Sequence, residues 1–89
     1  MTEFAIPSHY LEAFKDFAKR LHGLNFEKSS FKKEIGRTMY KGHYLCTLSY
    51  EDEDKERIEF SSYAKKRFED MEAEFYAYLN ELEKEQKDG

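Results

Sequence analysis

Three histidines, one cysteine and nineteen carboxylates are the side chains in this chain most able to do chemistry, and their spacing leaves little of it open. His9, His22 and His43 have no second ligand at metal-binding spacing, so no zinc site can be drawn from sequence. His22, near the end of a helical stretch, reads instead as a cation at the helix's negative pole. Asp52, Asp54 and Glu56 alternate as the first ligands of a calcium loop do, but no glycine follows for the sharp turn and no bidentate glutamate closes the set. The four glycines stand at 23, 36, 42 and 89, too scattered for a phosphate loop or a nucleophile elbow. Cys46 lacks an intramolecular disulfide partner, which points to a reducing, cytoplasmic setting, and it reads as a small core residue rather than a nucleophile. A non-enzymatic protein without metal or cofactor is the expectation.

Charge carries more information than any motif. Eight basic and five acidic side chains give residues 1–50 a net +3, whereas seven and fourteen give residues 51–89 a net −7. Two acidic groups stand out: Glu51, Asp52, Glu53 and Asp54 in a connection, and Glu69, Asp70, Glu72 and Glu74 in the last helical stretch. Lys65, Lys66 and Arg67 open that stretch while Glu81, Glu83 and Glu85 close it, opposite to the preference of the helix dipole. A surface that docks onto a basic protein partner by charge complementarity is the reading this suggests.

Elements that position these groups follow from periodicity. Eighty-nine residues make one domain. Phe, Leu, Ile and Val total only eighteen, but eight Phe and seven Tyr supply enough apolar area for a small ring-built core. After Ser8 as N-cap, Tyr10, Leu11, Phe14, Phe17, Ala18 and Leu21 share one helical face up to Gly23. Residues 24–33 read as a connection, and Lys41-Gly42 sits between two alternating runs as a hairpin turn. Pairing Tyr40 with His43 sets Met39 against Tyr44, Arg37 against Cys46 and Ile35 against Leu48 on the inner face, with Thr38, Tyr40, His43, Leu45 and Thr47 outside. A third strand over residues 56–61 pairs Leu48 with Ile58 and Cys46 with Phe60. One long helix from Ser61 or Ser62 to about Gln86 then covers the sheet through Ala64, Phe68, Met71, Phe75, Tyr78, Leu79 and Leu82, with residues 81–89 overhanging the globule. The expected fold is α+β, α-β-β-β-α, a three-stranded antiparallel meander packed against two helices. Arg37, out of place on the inner face, is expected to snorkel over Met39 or Ile35, or to anchor a partner carboxylate.

No apolar run approaches the ~20 residues that span a bilayer, and the segment from Met1 to Pro7 lacks the blocks of a secretion signal. No membrane partner is expected.

The order α-β-β-β-α, the basic run in Ser62-Tyr63-Ala64-Lys65-Lys66-Arg67 and the hairpin Lys41-Gly42-His43 together resemble the double-stranded-RNA-binding domain. That resemblance implies Lys65, Lys66 and Arg67 gripping phosphates across a major groove and the hairpin entering a minor groove. Against it stands the acidity of the rest of the last helix, so nucleic acid is the alternative partner rather than the expected one. The main expectation is a small acidic protein-binding module, of the kind phage or mobile-element inhibitors provide when they block a host defence or nucleic-acid enzyme by nucleic-acid mimicry. Its contact groups are the two acidic clusters with Tyr40, His43 and Tyr76. A homodimer through Tyr76 on the last helix is a further option.

Overall fold

The computed structural model describes residues 1–29, 31 and 33–88, without the side chains of residues 86–88. Four strands and three helices follow in the order β1 (Thr2–Pro7), α1 (Leu11–His22), β2 (Glu34–Tyr40), β3 (His43–Tyr50), β4 (Arg57–Ser62), α2 (Lys65–Phe68) and α3 (Met71–Asp88). The strands form one antiparallel sheet in the order β1-β4-β3-β2. The expected meander is therefore present with a fourth strand added in front of it. Strand β1 carries the period-two pattern Thr2, Phe4, Ile6, and it pairs Phe4 with Phe60 and Ile6 with Ile58. Pairing there lets β4 hydrogen-bond on both sides, which gives its buried residues neighbours on both flanks.

A single 3-10 turn at Ser8–Tyr10 joins β1 to α1, so Ser8 does not cap the helix with its side chain. Gly23 ends α1 in the left-handed region at φ 66°, and its N–H reaches back to the carbonyl of Lys19, the usual glycine C-terminal motif. The arc from Tyr10 to Ala18 faces the core as its spacing requires, but Leu21 is exposed.

Lys41 and Gly42 both take positive φ, 52° and 81°, as a type I′ hairpin turn demands. Tyr40 then faces His43 and Met39 faces Tyr44, as the turn predicts. Beyond that pair the register shifts: Thr38, not Arg37, lies opposite Cys46, and Leu45 is left without an opposite residue. The slip moves Thr38 and Gly36 to the buried face and Arg37 to the solvent face. Thr38 stays buried because its hydroxyl donates to the Asn25 carbonyl at 2.8 Å. The pairing of β3 with β4 is also displaced, by two residues: Leu48 faces Phe60 and Cys46 faces Ser62. An even displacement leaves the inner face unchanged.

The expected single long helix is broken in two. Strand β4 runs through Ser62, whose hydroxyl donates to the Leu45 carbonyl at 2.6 Å and accepts the Ala64 N–H at 3.1 Å. Lys65–Phe68 then makes one turn, and α3 starts at Met71. The break changes the electrostatics. Glu72 and Glu74 occupy the first turn of α3, where the helix dipole favours them, so the basic run is not charged against that helix's own N-terminus.

Helices α1 and α3 share one face of the sheet, and rings fill the space between. Phe14 lies at the centre, its ring centroid 5.1 to 6.3 Å from those of Phe4, Phe17, Phe26, Phe60 and Phe75. Phe68 closes one end against Phe60 and His22. No helix among the described residues is long and apolar enough to cross a membrane. The radius of gyration is 13.3 Å, and the long axis of 42 Å accommodates α3, which runs through Asp88.

Candidate functional site

With both helices on one side, the other face of the sheet is bare of helices, and the segment with Ser29 and Phe31 lies over its β2 edge. The extra strand and the register shift place on it Glu3 and Ala5 from β1, Arg57, Glu59 and Ser61 from β4, Thr47 and Ser49 from β3, and Arg37 from β2. It is chemically divided. On the β1–β4 side, burial first and then the negative fields of Glu3 and Glu51 push the Glu59 carboxyl above its ordinary value. A raised folded-state pKa favours the protonated form, so this contribution to stability is present in acid and is lost as pH rises through the raised value. Glu59→Gln is accordingly expected to stabilise the fold by a few tenths of a kcal/mol at pH 7, with the gain vanishing near pH 4 in urea titrations. Equal stability change at both pH values would contradict the assignment.

On the β2–β3 side the surface is aromatic and cationic. Arg37 is not out of place there: its guanidinium lies 4.0 Å from the Tyr44 ring centroid and 4.5 Å from that of Phe31. Its carboxylate partner is internal, because the same group pairs with Glu34 and donates to Ser29 Oγ at 3.2 Å. The Ser29 hydroxyl and, after it, Arg37 hold the Glu34 carboxyl below its ordinary value against the opposing effect of burial. Arg37 Nε remains buried without a hydrogen-bond partner. This pinned cation sits among exposed apolar groups, Phe31 (61% exposed), Tyr44 (51%) and Met39 opposite it, whereas Tyr40 (56%) falls by alternation on the Thr38 face of the hairpin tip.

Next to this cluster lies a hollow of about 140 Å³. Thr47 and Ser61 contribute to its lining, with Tyr44, Leu45 and Tyr63 around them. Tyr63 is 80% exposed. Since Cys46 lies opposite Ser62, the end of β4 and the tip of the hairpin share one end of the sheet. Lys65, Lys66 and Arg67 follow at that end, and they, Lys41 and His43 are exposed.

The predicted acidic residues separate into two places. Glu51, Asp52, Glu53 and Asp54 lie in the β3–β4 connection, where Asp52 Oδ1 accepts the Glu56 N–H at 3.4 Å. Glu69, Asp70, Glu72 and Glu74 follow α2, at the other end of β4, and Glu74 reaches His22 Nε2 at 3.6 Å near the end of α1. The two groups thus precede β4 and follow its end. A larger hollow of about 460 Å³ near the loop is lined by Lys33, Glu34, Tyr50, Asp52, Glu53 and Lys55, whose opposing charges largely cancel. Among the described residues no group of histidine, cysteine and carboxylate side chains is placed to hold a metal ion. Cys46 is buried, and burial pushes its thiol up to about 11, which keeps it protonated and unreactive at neutral pH.

Tyr40, His43 and Tyr76 are exposed as contact groups must be, though Tyr76 lies on α3 and away from the other two. Sequence reasoning missed Phe31, Tyr44, Tyr63 and Arg37 as members of one surface. Strict alternation puts Tyr44 inside, and the shift at Leu45 overturns that.

No family model, curated protein or solved structure matches this chain.

Proposed function

We propose that this protein is a non-enzymatic module that binds another protein through its bare sheet face. The observation that carries this reading is the stacking of exposed Phe31 and Tyr44 on the fixed Arg37, with Met39 opposite Tyr44 and the hollow between Tyr44 and Tyr63 beside it. Aromatic residues, Met and Arg are the types enriched at interface centres, where a few such side chains supply most of the binding energy. Here they are held without a cover on a rigid sheet, so little ordering cost attends their use. Mimicry of nucleic acid by an inhibitor would draw on carboxylates spread along one surface; with those groups at opposite ends of β4, the geometry favours the sheet face as the principal contact.

Affinity capture from the native cell tests this. The wild-type protein should retain a protein partner that both Tyr44→Ser and Tyr63→Ser lose by tenfold or more, the ~1.4 kcal/mol or greater expected of an interface anchor. Undiminished capture by both variants would remove the reading.

One observation favours a second reading as a duplex-RNA binder: Lys65, Lys66 and Arg67 share a sheet end with Lys41 and His43. The strand β1 and the absence of proline from the hairpin depart from the double-stranded-RNA-binding domain. Titration with a duplex of about 20 base pairs at about 50 mM salt decides it, because phosphate contacts are strongest there. Binding abolished by Lys65→Glu with Lys66→Glu supports it, and no binding removes it.

A further inference from the structure

The molecule carries a second unpartnered surface whose chemistry is the complement of the first. On the solvent side of α3, Tyr76 is 40% exposed, and its helical neighbours Ala73, Ala77, Glu72 and Glu83 are exposed as well. The two alanines are too small to hide the ring, and the carboxylates bracket it. Among the described residues neither Glu72 nor Glu69 makes an ion pair, and neither do Lys65 or Lys66, two and three residues beyond Tyr63 at the rim of the hollow. One surface is thus an aromatic ring set in unpaired anions. The other is an aromatic-walled hollow beside unpaired cations.

We propose that the partner of the bare sheet face is a second copy of this chain, with Tyr76 of one molecule entering the hollow between Tyr44 and Tyr63 of the next. This rests on the protein-binding reading of that face and names its occupant. The volume fits: a cavity of about 150 Å³ accepts a benzene ring, and the hollow measures about 140 Å³. Charge fits as well. Glu72 and Glu69 bring carboxylates towards Lys65 and Lys66, and complementary fields of this kind fix orientation and speed encounter. On the other side of the hollow, Glu3 lies opposite Ser61, so an acidic helix is steered to the cationic side.

The two surfaces are different and lie on opposite layers of the fold, sheet and helix. Their contact is therefore heterologous, and repeated contacts build open chains or rings rather than a closed two-fold dimer. That geometry supplies its own test. A sheet-side variant (Tyr63→Ala, Lys65→Glu, Lys66→Glu) keeps an intact α3 surface, and an α3-side variant (Glu69→Lys, Glu72→Lys, Tyr76→Ala) keeps an intact hollow. All six positions are exposed, and circular dichroism melts verify that both variants fold.

Sedimentation velocity of the purified proteins from about 10 μM to about 1 mM, the range of weak interfaces, reads the outcome. The wild type should gain mass with concentration and lose that gain when salt is raised from about 50 to about 500 mM, where screening shortens the reach of the charges. Each variant alone should stay monomeric. Mixed in equal amounts they should form a complex of two chains and nothing larger, since each supplies the one surface the other lacks. A wild type monomeric throughout, variants that associate like the wild type, or a mixture with no two-chain complex would each overturn the proposal. A monomeric wild type leaves the sheet face to a foreign protein, whereas capture indifferent to Tyr44→Ser and Tyr63→Ser removes the face itself.

Discussion

Phe14→Ala is expected to lower stability by about 3 to 5 kcal/mol, which takes the chain to the edge of unfolding. Globular domains carry about 0.05 to 0.15 kcal/mol per residue, or roughly 4 to 13 kcal/mol for 89 residues. The ring is fully buried and meets five other phenylalanines contributed by β1, α1, β4, α3 and the connection after α1. No flexible neighbour is at hand to fill the space, because the surrounding rings are themselves rigid and mutually wedged. At about 4 to 8 °C per kcal/mol for a domain of this size, the midpoint should fall by at least ~12 °C. Urea unfolding followed by far-ultraviolet circular dichroism measures it. Leu21→Ala is the control, in the same helix but on its exposed side, and should change stability by no more than about 0.5 kcal/mol. A cost below about 1.5 kcal/mol for Phe14→Ala would contradict the ring-centred core.

Gly36→Ala should destabilise, although replacing a strand glycine by alanine ordinarily gains about 0.5 to 1 kcal/mol. A Cβ at this position would stand 2.9 Å from the Glu27 carbonyl oxygen and 3.2 Å from Phe26 Cβ. That carbonyl is not free to move. It accepts the Arg37 N–H at 3.0 Å while the Glu27 N–H donates to the Arg37 carbonyl at 2.9 Å, an isolated bridge that lays the post-α1 segment along the outer edge of β2. Relief of the clash breaks this bridge and shifts Phe26 away from Phe14, so the cost should be that of overpacking, about 1 to 3 kcal/mol. Hydrogen exchange gives a local readout: the Glu27 and Arg37 amides should lose protection ahead of those in β4. Unchanged protection together with increased stability would show that the close approach is absent. The bridge also occupies part of the edge of β2, which would otherwise be open to pairing with another chain.

Most of the core could be read from periodicity. Phe14, Phe17 and Ala18 recur at helical spacing, Cys46, Leu48, Ile58 and Phe60 alternate, and Phe68, Met71 and Phe75 follow the helical spacing again; all ten are buried. The two-residue displacement of β4 against β3 shows the limit of this signal. A period of two fixes the face but repeats identically at every second register, so only the contacts of the assembled sheet select Leu48 with Phe60. The break at residues 69–70 has the same origin: Phe68, Met71 and Phe75 continue one helical stripe across it, and the spacing alone cannot show a turn lost between them.

Local sequence determined the hairpin turn, the burial of Phe14, Phe17, Phe60, Phe68 and Phe75, the glycine stop of α1 and the burial of Cys46, because each depends on residues within a few positions of one another. Tertiary structure alone decided the rest. Strand β1 is a six-residue alternation closed by Pro7, and it becomes a strand by pairing with β4, Thr2 opposite Ser62. The shift at Leu45 exchanged Arg37 for Thr38 in the core, where the threonine hydroxyl bonds to the Asn25 carbonyl, while Arg37 meets its partner Glu34 on the other face. That exchange placed Arg37 with Phe31 and Tyr44 on the face away from the helices. Interactions between residues distant in sequence made these choices, so no window of neighbouring residues records them.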